Sequence, residues 1–239
     1  MWVGPTYFSE VNPVVGRHTT AAPLTFGGLI SGYGFVASNA TQTITITNNV
    51  NTFTGGVIVV QGTVQIDGSL PLLCPVTNDV NGTLAGVGTF NSVVTNAGTI
   101  SPGSSVGTIT FATNLVMLNN SIINWELGAS TNDMISVLGN LTLDSNTTLR
   151  VLNGGFLSNP NGTFVVMSYS GTDPVLGTWT VDTSSSPWSG ATTSVALDTI
   201  TKRILLTLVA RSSSSSSWSL YRQNSSFRKN SAIKSQGGN

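Results

Sequence analysis

Five times between residues 62 and 109 the chain carries Gly-Thr followed by a large apolar residue: Gly62-Thr-Val, Gly82-Thr-Leu, Gly88-Thr-Phe, Gly98-Thr-Ile and Gly107-Thr-Ile. Each unit reads as a turn feeding a short strand. Glycine supplies a positive-φ corner, threonine enters the β region readily, and the apolar side chain turns inward. A short unit that cannot bury its apolar face alone must stack on its neighbours. The spacings of 20, 6, 10 and 9 residues are too irregular for propeller blades and suit a solenoid with variable corners.

Short strands extend on both sides of these units. Thr41-Gln-Thr-Ile-Thr-Ile-Thr47 alternates polar and apolar residues, which places Thr43, Thr45 and Thr47 on one face of a half-buried strand. Downstream, apolar runs at 114–118, 122–127, 134–138, 140–143, 148–152, 163–167, 177–181 and 204–209 are bounded mostly by Asn, Gly, Ser or Asp. This is an all-β pattern, which a sandwich would give as well as a solenoid. Asparagine clusters at Asn48-Asn49, Asn119-Asn120 and Asn153 read as corner chemistry, and stacked asparagines in a solenoid can also ladder between turns.

Charged residues make up 8% of the chain, about a third of the ~25% of an ordinary soluble domain. Solubility therefore comes from Asn, Thr, Ser and Gly, as in extracellular β-rich proteins. Net charge is zero but divided: only Arg17 and Arg150 precede Lys202 among the basic residues, while all acidic residues lie at or before Asp198. The single cysteine, Cys74, excludes an intramolecular disulfide and reads as a small buried hydrophobe. No apolar stretch reaches the ~18 to 20 residues of a membrane span. The N-terminus has no signal-peptide pattern, so an export signal is expected outside this chain.

The segment Asn51-Thr-Phe-Thr-Gly-Gly-Val-Ile-Val-Val-Gln-Gly-Thr-Val-Gln-Ile66 resembles the autotransporter-associated β-strand repeat, with its Asn-Thr-aromatic-Thr-Gly-Gly start and Gly-Thr strand. Asn81 to Phe90 and Ala97 to Ile109 resemble the stretch immediately C-terminal to such repeats in passenger domains. Asn132 to Leu143 and Thr201 to Leu208 fit the closing part, so the resemblance covers roughly residues 42 to 209. It implies a single-stranded, right-handed parallel β-helix displayed outside a cell, with no catalytic residues. Neither the alternating strands of a membrane β-barrel nor a sorting signal is present in this sequence.

Candidate chemistry is sparse. His18 is the sole histidine, no Gly-x-Ser-x-Gly elbow or phosphate loop occurs, and the histidine reads as exposed and inert. A polysaccharide-acting β-helix would need clustered carboxylates. Asp67, Asp79, Glu126, Asp133 and Asp144 are the candidates, and no local spacing forces any two of them together. They read as turn aspartates and one exposed strand glutamate, with Arg150 as the lone basic residue between Arg17 and Lys202. Neither the calcium β-roll nonapeptide nor an EF-hand loop occurs. Asn-x-Ser/Thr sequons stand at Asn39, Asn81, Asn119, Asn140, Asn146, Asn161 and Asn224, mostly a consequence of composition.

The expected organisation is an N-terminal cap over residues 1–35, a parallel β-helix over 36–210 and a flexible Ser-rich basic tail over 211–239. At ~20 to 25 residues per turn the helix would hold roughly seven to nine turns, with Val64, Leu84, Phe90, Ile100 and Ile109 inside. In the tail, Trp218, Leu220, Tyr221 and Phe227 alternate with Arg222, Arg228, Lys229 and Lys234; this reads as a linker or partner-docking segment before a nucleic-acid contact. The expected function is a non-enzymatic surface or extracellular scaffold, adhesin-like, without cofactor, metal, small-molecule substrate or membrane span. Its expected partners are surface glycans, a matrix or neighbouring copies of itself. A self-assembling fibre subunit and a polysaccharide-acting enzyme are the alternatives.

Overall fold

Side chains on a strand point alternately to opposite faces, so a chain that buries one face of every strand can grow by laying each turn on the one before. The computed structural model describes residues 6–8, 14–16, 23–32, 35–155 and 160–209, with the side chains of 6–8, 14–16 and 35–41 excepted. His18, Asn224 and the whole 211–239 segment lie outside the described residues, as do most of residues 1–22. The described chain is all-β, with no helix. Its strands fall mainly into two sheets, and the chain passes from one to the other as it advances, which is consistent with a β-solenoid.

The register shows how the apolar residues of the repeat stack. In the larger sheet Leu24, Ile44, Val64, Leu84, Ile100, Ile123, Leu149 and Val181 stand in one parallel column, each opposite the next. Its six middle members are buried. A second column of that sheet runs Val57, Val76, Val94, Leu115, Leu141. In the smaller sheet Leu70, Phe90, Phe111, Val137 and Tyr169 stack, with the rings of Phe90 and Phe111 5.1 Å apart and 27° from coplanar. All five expected interior residues, Val64, Leu84, Phe90, Ile100 and Ile109, are in this core. Each full burial of such a side chain contributes about 1.5 to 3 kcal/mol.

Turn length varies more than the expected 20 to 25 residues. Leu84 and Ile100 are 16 residues apart, while Leu149 and Val181 are 32 apart. The longer turns place their extra residues in loops, which burial of the strands does not restrict. The regular stacking also begins before residue 36, since Leu24–Phe26 pairs in parallel with Phe35–Ile46.

The Gly-Thr units depart from expectation in their physical cause. Gly62 does take a positive φ of 88°. Gly82 and Gly98 do not, and are confined by crowding: a Cβ on Gly82 would lie 2.1 Å from Asn78 Oδ1, and one on Gly98 2.3 Å from the Gly82 carbonyl oxygen. At Gly82 the crowding comes from an asparagine turned inward, and at Gly98 chiefly from backbone carbonyls of the previous turn. Asn78 and Asn96 are fully buried and directly opposite each other on adjacent turns, in a column continued by Val59 and Met117. Asn78 Nδ2 donates to Asn96 Oδ1 at 2.6 Å, and Asn96 Nδ2 donates to the Gly98 carbonyl at 3.0 Å. Of the asparagine clusters expected at corners, Asn119 also ladders, accepting from Asn146 Nδ2 at 3.0 Å on the surface.

Parallel stacking stops at the C-terminal end of the smaller sheet. Arg203–Val209 pairs antiparallel with Asn161–Tyr169, and Thr192–Asp198 pairs antiparallel with Arg203–Val209 in turn. The expected closing strand therefore belongs to a hairpin. Asp173 ties the hairpin to the preceding loop, accepting from Lys202 Nζ at 2.7 Å and from the Tyr169 hydroxyl at 2.8 Å. The hydrogen bond from Lys202 is the main reason the Asp173 carboxyl is held below its usual range.

Candidate functional site

The strand Ser121–Gly128 ends in a tight loop that folds back on itself: Leu127 and Asn132 form an antiparallel bridge, and Gly128 N donates to the Thr131 carbonyl at 2.8 Å. That return places Asp133 beside Glu126. Asp133 N donates to the Glu126 carbonyl at 2.9 Å, and Glu126 N donates to Asp133 Oδ2 at 2.8 Å. The other carboxylate oxygen, Oδ1, accepts from Gly107 N of the previous turn at 2.7 Å. Trp125 Nε1 and Asn132 Nδ2 both donate to the Asp133 main-chain carbonyl at 2.6 Å, and Asn132 Nδ2 reaches Val165 O of the following turn at 2.9 Å. Three turns are thus joined around one loop.

Asp133 has no solvent exposure. Burial pushes its carboxyl up to about 7, against the two backbone N–H bonds, which favour the ionised form, and with a smaller push from the charge of Glu126. Glu126 is half-buried, and its Oε2 atom is buried without a hydrogen-bond partner. Beside the loop lies an open groove of about 510 Å³ lined by Val106, Gly107, Thr108, Ser130, Thr131, Asn132, Met134 and Val165. Asp133 does not line it. Its carboxylate is turned toward backbone N–H groups, out of reach of a molecule in the groove.

Of the five carboxylate candidates, Glu126 and Asp133 are brought beside each other by the folded-back loop, a meeting that no spacing in the sequence forces; Asp133, expected as a turn aspartate, is buried, and Glu126, expected as exposed, is half-buried. Asp67 sits elsewhere, its Oδ2 accepting from Gln65 Nε2 at 2.7 Å and its Oδ1 buried without a partner. Asp79 is half-exposed on Val76–Gly86, and Asp144 is an exposed turn residue that accepts from Ser145 N at 2.8 Å. Among the described residues no three His, Cys, Asp or Glu side chains are placed to share a metal ion. Arg150 stands across from Asp182 at 3.9 Å. Cys74 is buried, and burial pushes its thiol up to about 12. The sequons at Asn81, Asn119, Asn140, Asn146 and Asn161 are all on exposed residues.

Sequence reasoning passed over Trp125, Asn132, Asn78 and Asn96. No fixed spacing marks the last two, since Asn78 lies four residues before Gly82 and Asn96 two before Gly98.

The titration of Asp133 gives a test. A carboxyl whose folded value is raised stabilises the fold fully below its ordinary value of 3.8, and that stability is lost as pH rises through about 7. Urea unfolding followed from about pH 4 to about pH 9 is expected to show stability falling up to about pH 7 and level above it, and Asp133→Asn is expected to flatten the fall. Asp133→Asn should also be less stable at the acid end, because its amide turns a donor toward Gly107 N or Glu126 N. A variant with the parent's pH dependence would remove Asp133 as its source.

Fold and site together define an all-β protein of stacked parallel turns, in which the Asp133 carboxylate beside Glu126 is held by backbone N–H groups. No protein-family profile matches the chain. The chain is similar to "Adhesin BmaC autotransporter" of Brucella suis biovar 1 (strain 1330), at 35% identity over 176 residues, which covers 69% of this chain. It spans only 5% of the length of that relative.

Proposed function

We propose that this protein is a non-catalytic, adhesin-like β-solenoid scaffold displayed at a cell surface or outside the cell. The observation that carries this reading is the in-register stack of parallel turns with a polar, mostly uncharged exterior, in a chain similar to a segment of an adhesin autotransporter. The resemblance of Asn51 to Ile66 to the autotransporter-associated repeat supports a right-handed, single-stranded β-helix with an N-terminal cap. Enclosure of Asp133 by backbone donors supports the absence of catalysis at the Glu126–Asp133 pair. No described helix is long and apolar enough to cross a membrane.

Displayed on a non-adherent bacterium through a carrier, the chain is expected to raise attachment to matrix-coated surfaces or host cells above that of the carrier alone. Attachment equal to the carrier's would sink the adhesin reading. A second reading, a fibre subunit, is favoured by one observation: Thr178–Asp182, the last strand of the larger sheet, pairs along one side only, with Asn146–Arg150, among the described residues. Unpaired strand edges invite strand addition. Filaments in electron micrographs of the purified chain would decide for it.

A further inference from the structure

Beside the buried column of the larger sheet stands an outward one of threonine. Thr43, Thr63, Thr83, Thr99, Thr148 and Thr180 face one another in register along the stack, with Ile122 between Thr99 and Thr148. Each is half-exposed or exposed. None of their hydroxyls has a hydrogen-bond partner among the described residues. With strands ~4.8 Å apart, the column presents a hydroxyl at nearly every step over about 30 Å.

The neighbouring positions continue the same chemistry. Gln61 and Asn81 flank the column on one side, and Thr45 and Gln65 on the other, where the buried Ala85 follows Gln65. No charged residue enters either the threonine column or the Thr45–Gln65–Ala85 side before Arg150, which is opposite Asp182. Charged groups near the margin are already engaged or half-buried: Asp67 accepts from Gln65, and Glu126 has one oxygen enclosed. A charged polymer would lose hydration here and gain no opposite charge. An uncharged chain of hydroxyl-bearing units would exchange hydrogen bonds to water for a donor and an acceptor at each step.

We propose that this threonine face binds an extended, uncharged polysaccharide laid along the stacking axis, one sugar unit near each turn. The proposal rests on the adhesin-like reading above and names the partner and the face. The smaller sheet has a hydroxyl column too, Ser69, Thr89, Thr110, Ser136 and Ser168. That column is shorter, Ser69 is already bonded to Asn91 Nδ2 at 2.8 Å, and Ser168 is opposite Arg203 of the closing hairpin. It serves as the internal control.

The test is affinity electrophoresis of the purified chain through gels containing hydroxyethylcellulose, galactomannan or dextran, with heparin as the charged comparison. Retardation is expected in at least one uncharged gel. The double variant Thr63→Val/Thr83→Val, which keeps β-branched side chains on the strand, should bind about tenfold more weakly after losing two hydroxyl contacts. Thr89→Val/Thr110→Val should bind as the parent does. Circular dichroism melting confirms that both variants are folded. No retardation in any uncharged gel, stronger retardation in heparin, or an unchanged Thr63→Val/Thr83→Val variant overturns the proposal. So does self-association abolished by that variant without glycan binding. If the displayed chain still mediates attachment while the purified chain ignores all three glycans, this face is excluded and the adhesin-like reading stands.

Discussion

Ile100→Asp is expected to leave the central turns unfolded. Ile100 is completely buried, directly opposite Leu84 on one side and Ile123 on the other. The substitution forfeits about 1.5 to 3 kcal/mol of apolar burial and places an unpaired carboxylate in the interior, a further several kcal/mol. Together these approach the whole stability of about 5 to 15 kcal/mol typical of a folded domain. The loss also propagates, because each turn of a stacked fold is held mainly by its two neighbours. Limited proteolysis should cleave near residue 100 in the variant and spare it in the parent, with the β circular-dichroism signal reduced. A variant as protease-resistant and as thermally stable as the parent would remove Ile100 from the core.

The same column shows what could be read beforehand. Alternation in Thr41 to Thr47 and apolar residues after each Gly-Thr identified interior side chains correctly, because burial on one face of a strand leaves a period of two in the sequence. Direction leaves no such trace. Arg203–Val209 alternates buried and exposed residues as a parallel strand would, and its antiparallel pairing with Asn161–Tyr169 emerges only from the fold. Inward asparagines are hidden for a related reason. Asn78 and Asn96 lie 18 residues apart in turns of uneven length, so no fixed repeat brings them into one column. Local turn chemistry then predicts corners, where the structure has a buried amide pair: Asn78 crowds Gly82, and backbone carbonyls of the previous turn crowd Gly98.

The carboxylate pair was half legible. Glu126 and Asp133 stood out as the kind of residue an acid–base site needs, but their meeting depends on a loop that returns at the Leu127–Asn132 bridge. A stretch of small and polar residues, Gly128 to Asn132, allows such a return without specifying it. What sequence could not show at all was orientation. Backbone N–H groups of two turns, absent from any motif, take both oxygens of Asp133.

Trp125→Ala is expected to be the most damaging truncation at this pair, costing about 3 to 5 kcal/mol in urea unfolding. Trp125 is fully buried, meets the Phe164 ring edge-on with centroids 6.0 Å apart, and donates from Nε1 to the Asp133 carbonyl. Trp125→Phe separates the contributions. It keeps most of the packing and drops the hydrogen bond, and because Asn132 Nδ2 still donates to the same carbonyl, the loss should be about 1 kcal/mol beyond the packing change. The two variants should differ in pH dependence as well. The cavity left by alanine adjoins the Asp133 main chain, and because the raised value of that residue's carboxyl comes chiefly from burial, water reaching it through the cavity would return Asp133 toward its ordinary range. Trp125→Ala should therefore lose less stability than the parent between about pH 5 and about pH 8, while Trp125→Phe keeps the parent's slope. Equal slopes in all three proteins would mean that the indole does not keep water from Asp133, and that other groups packed around it supply the burial that raises its carboxyl.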